Sequence, residues 1–266
     1  MIRFPNAKIN LGLRIVSRRP DGYHNIETVF YPIQLCDALE IVPAESGDTE
    51  LSLSGIAIDG DSRDNLVMKA WRRLSGRFSL PPVSIFLHKV IPFGAGLGGG
   101  SADAAFLLSM VRDEFRLPLS DEELAVEAAA LGADCPFFLY NKPLLAKGIG
   151  DEFDPVELTL KSYKMVLVKP PVAYSMVTPA EPDEPVRDTI ARPVAEWRDR
   201  LVNDFEPSVF ARFPRIEEIK TSLYERGAVY ASMSGSGSSV FGLFDSRVEL
   251  DTDYPDCFVW TGNCTL

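Results

Sequence analysis

The chain has 266 residues, of which 46% are hydrophobic and 24% charged, an ordinary composition for a globular protein with a packed core. Its formal net charge of -11 disfavours nucleic acid and anionic membranes as partners, so a bound anion must be held by local groups. Four cysteines without a close pair predict neither a metal site nor a disulfide framework, and no apolar run approaches the roughly 20 residues that span a membrane. We therefore predict a cytoplasmic protein that contacts neither nucleic acid nor membrane.

The N-terminal segment is predicted to be a strand, because it is rich in apolar residues from Phe4 onward and these alternate with Lys8, Asn10, Gly12 and Arg14 as far as Ile15. Lys8 and Asn10 share one face of this strand with Arg14. A lysine on a strand face is usually solvated. Spacing alone therefore favours a solvated Lys8 over a functional one.

A polar loop follows, with a Pro-Asp-Gly turn signal directly before Tyr23 and His24. An aromatic ring beside a hydrogen-bonding ring could hold a flat base, and a surface turn explains the pair equally well. Hydrophobic patterning and turn residues then predict strands at 27–33, 38–42, 50–53, 83–87, 137–139, 163–169, 229–233, 240–244 and 257–260.

Capping residues indicate where helices begin and end. Asn65 is predicted to cap a helix that stops at Gly76, and Ser120 with Glu123 forms a capping box for a helix that stops near Gly132. Strands and helices do not strictly alternate, so the sequence predicts an α+β fold with domains at 1–155 and 156–266. Further helices are predicted at 101–115, 194–201 and 215–225.

A glycine-rich loop, residues 92–101, connects the strand at 83–87 to the helix that begins at 101. Consecutive glycines let the backbone approach an anion, and the helix that follows adds its free N–H groups. Core-like segments on both sides disfavour a flexible linker. The loop also fits a dinucleotide pattern, but the acidic residues about 20 positions on lie inside a helix, at 113–114. The sequence therefore predicts a phosphate-binding loop.

Asp134 lies between the predicted helix end at Gly132 and an apolar segment that begins at Cys135. A carboxylate that enters an apolar segment is costly unless it is paired, and a nearby lysine would keep it ionised. A turn-forming aspartate close to Pro136 explains the position equally well from the sequence alone.

Taken together, these motifs resemble the GHMP kinase family over nearly the whole chain. The combination is specific, although no single motif is. The segment from Asp21 to His24 distinguishes one branch of the family. The resemblance is carried by residues 5–11, 19–24, 64–66, 92–105, 131–136 and 234–237.

The resemblance implies a two-domain fold, with an N-terminal domain like ribosomal protein S5 domain 2 and a ferredoxin-like C-terminal domain. It implies a small-molecule kinase that uses ATP and Mg²⁺. The implied acceptor is the 2-hydroxyl of a cytidine diphosphate-linked methylerythritol, on the non-mevalonate route to isoprenoid precursors. The alternatives are another GHMP kinase, of the homoserine or mevalonate type, and a nucleotide-binding regulator without catalysis.

Matching motifs imply roles for single residues. Asp134 and Lys8 match the catalytic pair, with Asp134 as the base toward the substrate hydroxyl and Lys8 orienting that hydroxyl. A second glycine-serine loop, 234–239, is expected to support the first. Substrate contacts match Asn10, Tyr23, His24 and Tyr174. ATP contacts match Asn65, Lys89, Pro92, Phe93, Gly94, Ala95, Gly96, Leu97, Gly98, Gly99, Gly100, Ser101 and Ala102.

The chain departs from the family between Val172 and Tyr174, where the family's substrate loop has several more residues. Tyr174 matches the aromatic residue that stacks on the base, but the threonine of that loop has no counterpart here. Either the loop is shorter, which would weaken cytidine binding, or this sequence lacks a segment.

Overall fold

A computed structural model describes residues 1–20, 22, 24–44, 47–57, 61–171, 185–245 and 254–264. Strands and helices follow one another without strict alternation, which confirms the predicted α+β class. The strands are β1 (Ile2–Arg3), β2 (Asn6–Arg18), β3 (His24–Cys36), β4 (Ala38–Pro43), β5 (Glu50–Gly55), β6 (Val83–Lys89), β7 (Leu144–Lys147), β8 (Glu152–Pro155), β9 (Lys164–Lys169), β10 (Tyr230–Met233), β11 (Val240–Phe244) and β12 (Phe258–Asn263). The α-helices are α1 (Leu66–Phe78), α2 (Gly99–Glu114), α3 (Asp121–Ala129), α4 (Cys135–Tyr140), α5 (Val186–Ile190), α6 (Glu206–Arg212) and α7 (Pro214–Glu225).

Contacts divide the chain into two compact units, and each unit combines separate stretches of sequence. The predicted boundary between residues 155 and 156 stays a prediction. The first unit contains Met1–Ala7, Leu35–Phe93 and Gly98–Asn141, and the second contains Lys8–Gln34, Gly94–Leu97 and Lys142–Leu266.

The first unit is built on a sheet with the strand order β1-β4-β6-β5, in which β5 runs parallel to β6 and the other pairs are antiparallel. Alternate residues of β4 and β6 are buried, which gives the sheet one apolar face. That face supplies Ile41 and Ile85 to a core completed by Trp71 of α1, Leu107 of α2 and Leu124 of α3. The core fixes the end of β6 and the start of α2.

The second unit contains two further sheets, with the strand orders β2-β3-β7-β8 and β10-β11-β9-β12. Helices α6 and α7 pack on the latter sheet, where Val209 and Leu223 join a core with Val168, Met233 and Val240. β2 is buried on both faces over its first ten residues apart from Arg14. This burial explains why alternation gave the wrong environment for its polar residues.

The predicted capping residues are confirmed at two helix starts. The Asn65 side chain accepts a hydrogen bond from the Val67 N–H at 2.9 Å, and Ser120 with Glu123 forms the complete capping box. The predicted stop at Gly76 is wrong, because α1 continues to Phe78 and ends at Ser79 in the left-handed conformation (φ 51°). A glycine lowers helix stability by about 1 kcal/mol but does not by itself end a helix.

The predicted strand at 137–139 is wrong, because these residues belong to helix α4. Pro136 lies in the first turn, where its missing N–H costs nothing, and Asn141 ends the helix at φ 48°. A short apolar run does not distinguish a buried strand from a buried helix turn, and here packing decides.

Other differences concern short elements. The helix predicted at 194–201 is a 3-10 turn at Val194–Glu196, and α2 begins two residues before the predicted start at Ser101. The sequence did not indicate α5, α6, β7 or β8. The elements β7, β8 and α5 have at most five residues and α6 has seven, so their hydrophobic patterns are too short to predict an element.

All four cysteines carry free thiols, as the absence of a close pair predicted. Within the described part of the chain, no helix combines the length and the apolar character needed to cross a bilayer.

Candidate functional site

The glycine-rich loop leaves β6 at Val90 and enters α2 at Gly99. Gly94, Gly96 and Gly98 have φ values of 62°, 74° and 69°, a conformation that other residues adopt only with strain. Left-handed residues at alternate positions let successive backbone N–H groups converge on one point. The backbone therefore has the form of an anion cradle.

Helix α2 begins with residues that leave its first N–H groups free of a side-chain cap. Gly98 at the N-cap position has no side chain to accept them. The unpaired N–H groups and the helix dipole together favour a negative charge at this point. Gly100 and Ser101 in the first turn are half-buried, whereas Gly99 and Ala102 face the interior. The start of α2 therefore has the free N–H groups and the dipole that an anion-binding helix end needs.

A buried cluster of three charged side chains anchors the ends of this loop within the first unit. Lys89, the last residue of β6, donates from Nζ to Asp37 and, at 2.6 Å, to Asp103 of α2. Asp37 also accepts the N–H groups of Val90 and Ile91 at 2.6 and 2.8 Å. The sequence-matched ATP residue Lys89 is thus bound by two carboxylates and holds the strand end to the helix start.

In this cluster two buried carboxyl groups share one ammonium group, so a full negative charge on both is costly. Asp103 is 2% exposed, and burial raises its pKa to about 7. Its Oδ1 atom has no hydrogen-bond partner, as expected of a carboxyl group that is not fully ionised. Protonation of Asp103 therefore lowers the negative charge buried in the cluster.

The Asp103 proton makes stability depend on pH with a definite sign. The unfolded chain releases this proton near the model value of 3.8, and the folded chain keeps it to about pH 7. The free energy of unfolding should therefore fall as the pH rises between these values. We expect the free energy of unfolding of Asp103→Asn, measured with urea, to rise relative to that of the unsubstituted protein as the pH increases from 5 to 8.

The control for this prediction is Asp154→Asn. A hydrogen bond from Lys147 lowers the pKa of Asp154, so its titration lies below this pH range. Equal pH dependence of unfolding in the unsubstituted protein and in Asp103→Asn would contradict the assignment.

In the second unit, the predicted catalytic residue Lys8 is 4% exposed, which rules out the solvated interpretation. Its Nζ donates to Asn10 Oδ1 at 2.7 Å and to the Gly96 carbonyl at 3.3 Å, and it lies 4.6 Å from the centre of the Phe30 ring. Asn10 Nδ2 donates in turn to Thr28 at 3.1 Å. Lys8 and Asn10 are therefore fixed in one network that includes the glycine loop.

The second glycine-serine loop contacts the first directly, as expected. Ser234 Oγ donates to the Gly96 carbonyl at 2.8 Å, and the Ser239 N–H donates to the Ala95 carbonyl at 3.3 Å. The Asn10 N–H donates to Ser234 Oγ at 3.1 Å. A single hydroxyl thus joins the glycine loop to β2.

Asp134 is half-buried and occupies the residue directly before α4 in the first unit. Its side chain does not cap that helix. The adjacent Cys135 thiol is buried, and burial raises its pKa to about 11, so it is protonated at neutral pH.

The predicted substrate residues are only partly placed. Asn10 lies in the Lys8 network, and His24 is half-buried at the first position of β3. Tyr23 and Tyr174 lie outside the described residues.

Several residues that support the site were missed by sequence reasoning. Asp37 gave no signal, whereas Asp103 stands in an apolar run of α2 and could have been noticed as a buried charge. Asn203 is 1% exposed and donates to the carbonyls of Met233 and Gly235, at the start of the second loop. No periodicity or spacing marks it.

Comparison with known proteins agrees with this architecture. The family model described as GHMP kinases N terminal domain matches residues 65–142, and the model described as GHMP kinases C terminal matches residues 188–254. A Parabacteroides distasonis protein named 4-diphosphocytidyl-2-C-methyl-D-erythritol kinase is 56% identical, over 98% of this chain and 99% of its own length. A Bacteroides fragilis protein of the same name is 55% identical, with coverages of 97% and 98%.

Solved structures show the same fold. A crystal structure of 4-(cytidine 5'-diphospho)-2C-methyl-D-erythritol kinase superposes with a TM-score of 0.80 and 31% identity, over 98% of both chains. The Methanococcus jannaschii mevalonate kinase gives a TM-score of 0.70 at 14% identity, over 98% of this chain and 97% of the other, which supports the fold alone. On the family models and the full-length relatives together, the chain belongs to the GHMP kinase family of small-molecule kinases.

Proposed function

We propose that the protein transfers the γ-phosphoryl group of ATP to the 2-hydroxyl of 4-diphosphocytidyl-2-C-methyl-D-erythritol. The observation that carries the transfer step is the contact of buried Lys8 with the Gly96 carbonyl, because it joins a cation to a loop shaped for phosphate. The acceptor is supported by the name of relatives more than 50% identical over nearly the whole chain.

In this proposal the glycine loop and the start of α2 bind the phosphates of ATP through backbone N–H groups. Asn65 and Lys89 belong to the adenosine side, and Lys89 acts there by holding β6 and α2 together, since its ammonium is already bound. Lys8 offsets the negative charge that develops on the transferred group, and Asp134 accepts the proton of the attacking hydroxyl. Asn10, Tyr23, His24 and Tyr174 contact the acceptor.

Mg²⁺ would accompany ATP in this reaction. The described residues contain no cluster of three histidine, cysteine or carboxylate side chains that could hold a metal ion. A kinase Mg²⁺ needs few protein ligands, because phosphate oxygens and water fill most of its coordination shell. The site therefore suits an ion that arrives with the nucleotide. We also propose a cytoplasmic location, which suits four free thiols.

The test is ADP release with each candidate alcohol, combined with mass spectrometry of the product. We expect turnover with the cytidylyl substrate and none with its 2-deoxy analogue, which lacks the accepting hydroxyl. Turnover with homoserine or mevalonate, and not with the cytidylyl compound, would favour a related kinase. ATP binding without ADP release in any reaction would favour a regulator.

A further inference from the structure

A short segment of the second unit, Val202–Glu206, connects several parts of the proposed site. Its second residue, Asn203, uses both its amide nitrogen and its amide oxygen in hydrogen bonds. Nδ2 donates to the carbonyls of Met233 and Gly235, both at 2.8 Å, and Oδ1 accepts the Phe205 N–H at 3.0 Å. These partners define the amide orientation, because a flipped amide would place its oxygen against two carbonyl oxygens.

Glu206, at the end of the same segment, holds the same strand end. It accepts the Met233 N–H at 2.8 Å and the Ser232 hydroxyl at 3.2 Å, and Lys220 balances its charge at 2.6 Å. Both backbone polar groups of Met233 are therefore bound by this segment. The end of β10 cannot shift without breaking buried hydrogen bonds.

The segment also pairs with β2, which carries Lys8 and Asn10. The Leu13 N–H donates to the Val202 carbonyl at 2.9 Å, and the Asp204 N–H donates to the Leu13 carbonyl at 2.8 Å. The Asp204 carboxylate accepts the Ile15 N–H at 2.8 Å. Val202–Glu206 is thus bonded both to the strand of the proposed catalytic lysine and to the second glycine-serine loop.

Ser234 lies in the chain between Met233 and Gly235, the two residues whose carbonyls accept from Asn203. Its hydroxyl donates to the Gly96 carbonyl. That carbonyl also accepts the Lys8 ammonium group. We propose that Asn203 is a positioning residue for phosphoryl transfer, which acts through Ser234 to place the Gly96 carbonyl and Lys8. This proposal rests on the proposed function of the site.

Loss of the Asn203 amide should displace the second loop. Asn203→Ala removes the amide donor from two buried carbonyls, and Asn203→Asp places a carboxylate against them. A displacement of about 1 Å at a reacting centre lowers the rate by about 10²-fold. We expect a fall in kcat of that order in Asn203→Ala, a larger fall in Asn203→Asp, and a smaller one in Asn203→Ser, which keeps one donor.

The matched control is Tyr230→Phe. The Tyr230 hydroxyl donates to the Leu201 carbonyl at 2.7 Å and is fully buried, so this variant loses a comparable hydrogen bond close to the segment. The hydrogen bond to Leu201 that this variant removes does not involve the second loop. If Asn203 only stabilised the fold, Asn203→Ala and Tyr230→Phe would lose similar activity when compared at equal folded fractions.

The decisive measurement is a double-mutant cycle between Asn203→Ala and Ser234→Ala. If Asn203 acts through Ser234, the double variant should lose no more kcat than the worse single variant. Additive losses, or activity of Asn203→Ala equal to that of Tyr230→Phe, would overturn the proposal. If Asn203→Ala does not fold, the same cycle with Asn203→Ser decides.

The experiments distinguish a wrong assignment of the substrate from a wrong assignment of the role of Asn203. If the unsubstituted protein does not phosphorylate the cytidylyl alcohol, the proposed function fails. The cycle is then measured with whichever alcohol supports ADP release. If the protein does phosphorylate the cytidylyl alcohol and the cycle is additive, only the role of Asn203 fails.

Discussion

Asp134→Asn is expected to lower kcat by about 10²- to 10⁴-fold, the range that a general base contributes to enzyme reactions. The amide keeps the size of the side chain but accepts no proton. ATP affinity should change little, because the proposed phosphate contacts come from the glycine loop and α2. Steady-state ADP release and equilibrium binding of ATP measure the two effects separately.

The control for this prediction is Asp121→Asn. Asp121 also lies at the start of a helix, but its side chain is 81% exposed and pairs with Arg112. Its replacement should leave turnover close to that of the unsubstituted protein. Near-normal turnover in Asp134→Asn would show that another group accepts the proton.

Gly96→Ala should have the second large effect, for a steric reason. A Cβ atom at Gly96 would lie 2.0 Å from the Ser234 carbonyl oxygen, and the φ of 74° adds about 1–2 kcal/mol of strain. Backbone atoms cannot rotate away as a side chain can, so the two loops must separate. We expect kcat/KM for ATP to fall by at least about 10²-fold.

Gly94→Ala separates the two causes of that loss. Gly94 has a similar φ of 62°, but a Cβ atom there would have no neighbour within 4 Å. Its loss of kcat/KM should therefore be much smaller. If the two variants lose equal activity, backbone strain and not loop contact is responsible. Circular dichroism during heating checks that both variants fold.

Local physics made part of this structure predictable. The caps at Asn65 and Ser120 depend on neighbours within three residues, and the spacing of the glycines in the glycine-rich loop follows from backbone conformation. The burial of Lys8 was not predictable in the same way. Alternation reports the faces of one strand, whereas the cover over both faces of β2 comes from distant parts of the chain.

The supporting contacts of the site are long-range in sequence. Asp37 and Lys89 are separated by 52 positions, and Asn203 and Met233 by 30. The windows of about 11–18 residues used to recognise helices and strands do not contain both partners. Resemblance to a family named Lys8 and Asp134, but it did not name Asp37 or Asn203, because neither lies in a matching motif.

The protonated Asp103 has a consequence for nucleotide binding. Ionisation of Asp103 would add a negative charge to α2, the helix whose first turn is proposed to receive the phosphates. ATP and the Asp103 proton should therefore bind with positive thermodynamic linkage, so that each raises the affinity for the other. At a pH slightly above 7, ATP binding should then be accompanied by proton uptake, and calorimetry in buffers of different ionisation enthalpy would record it.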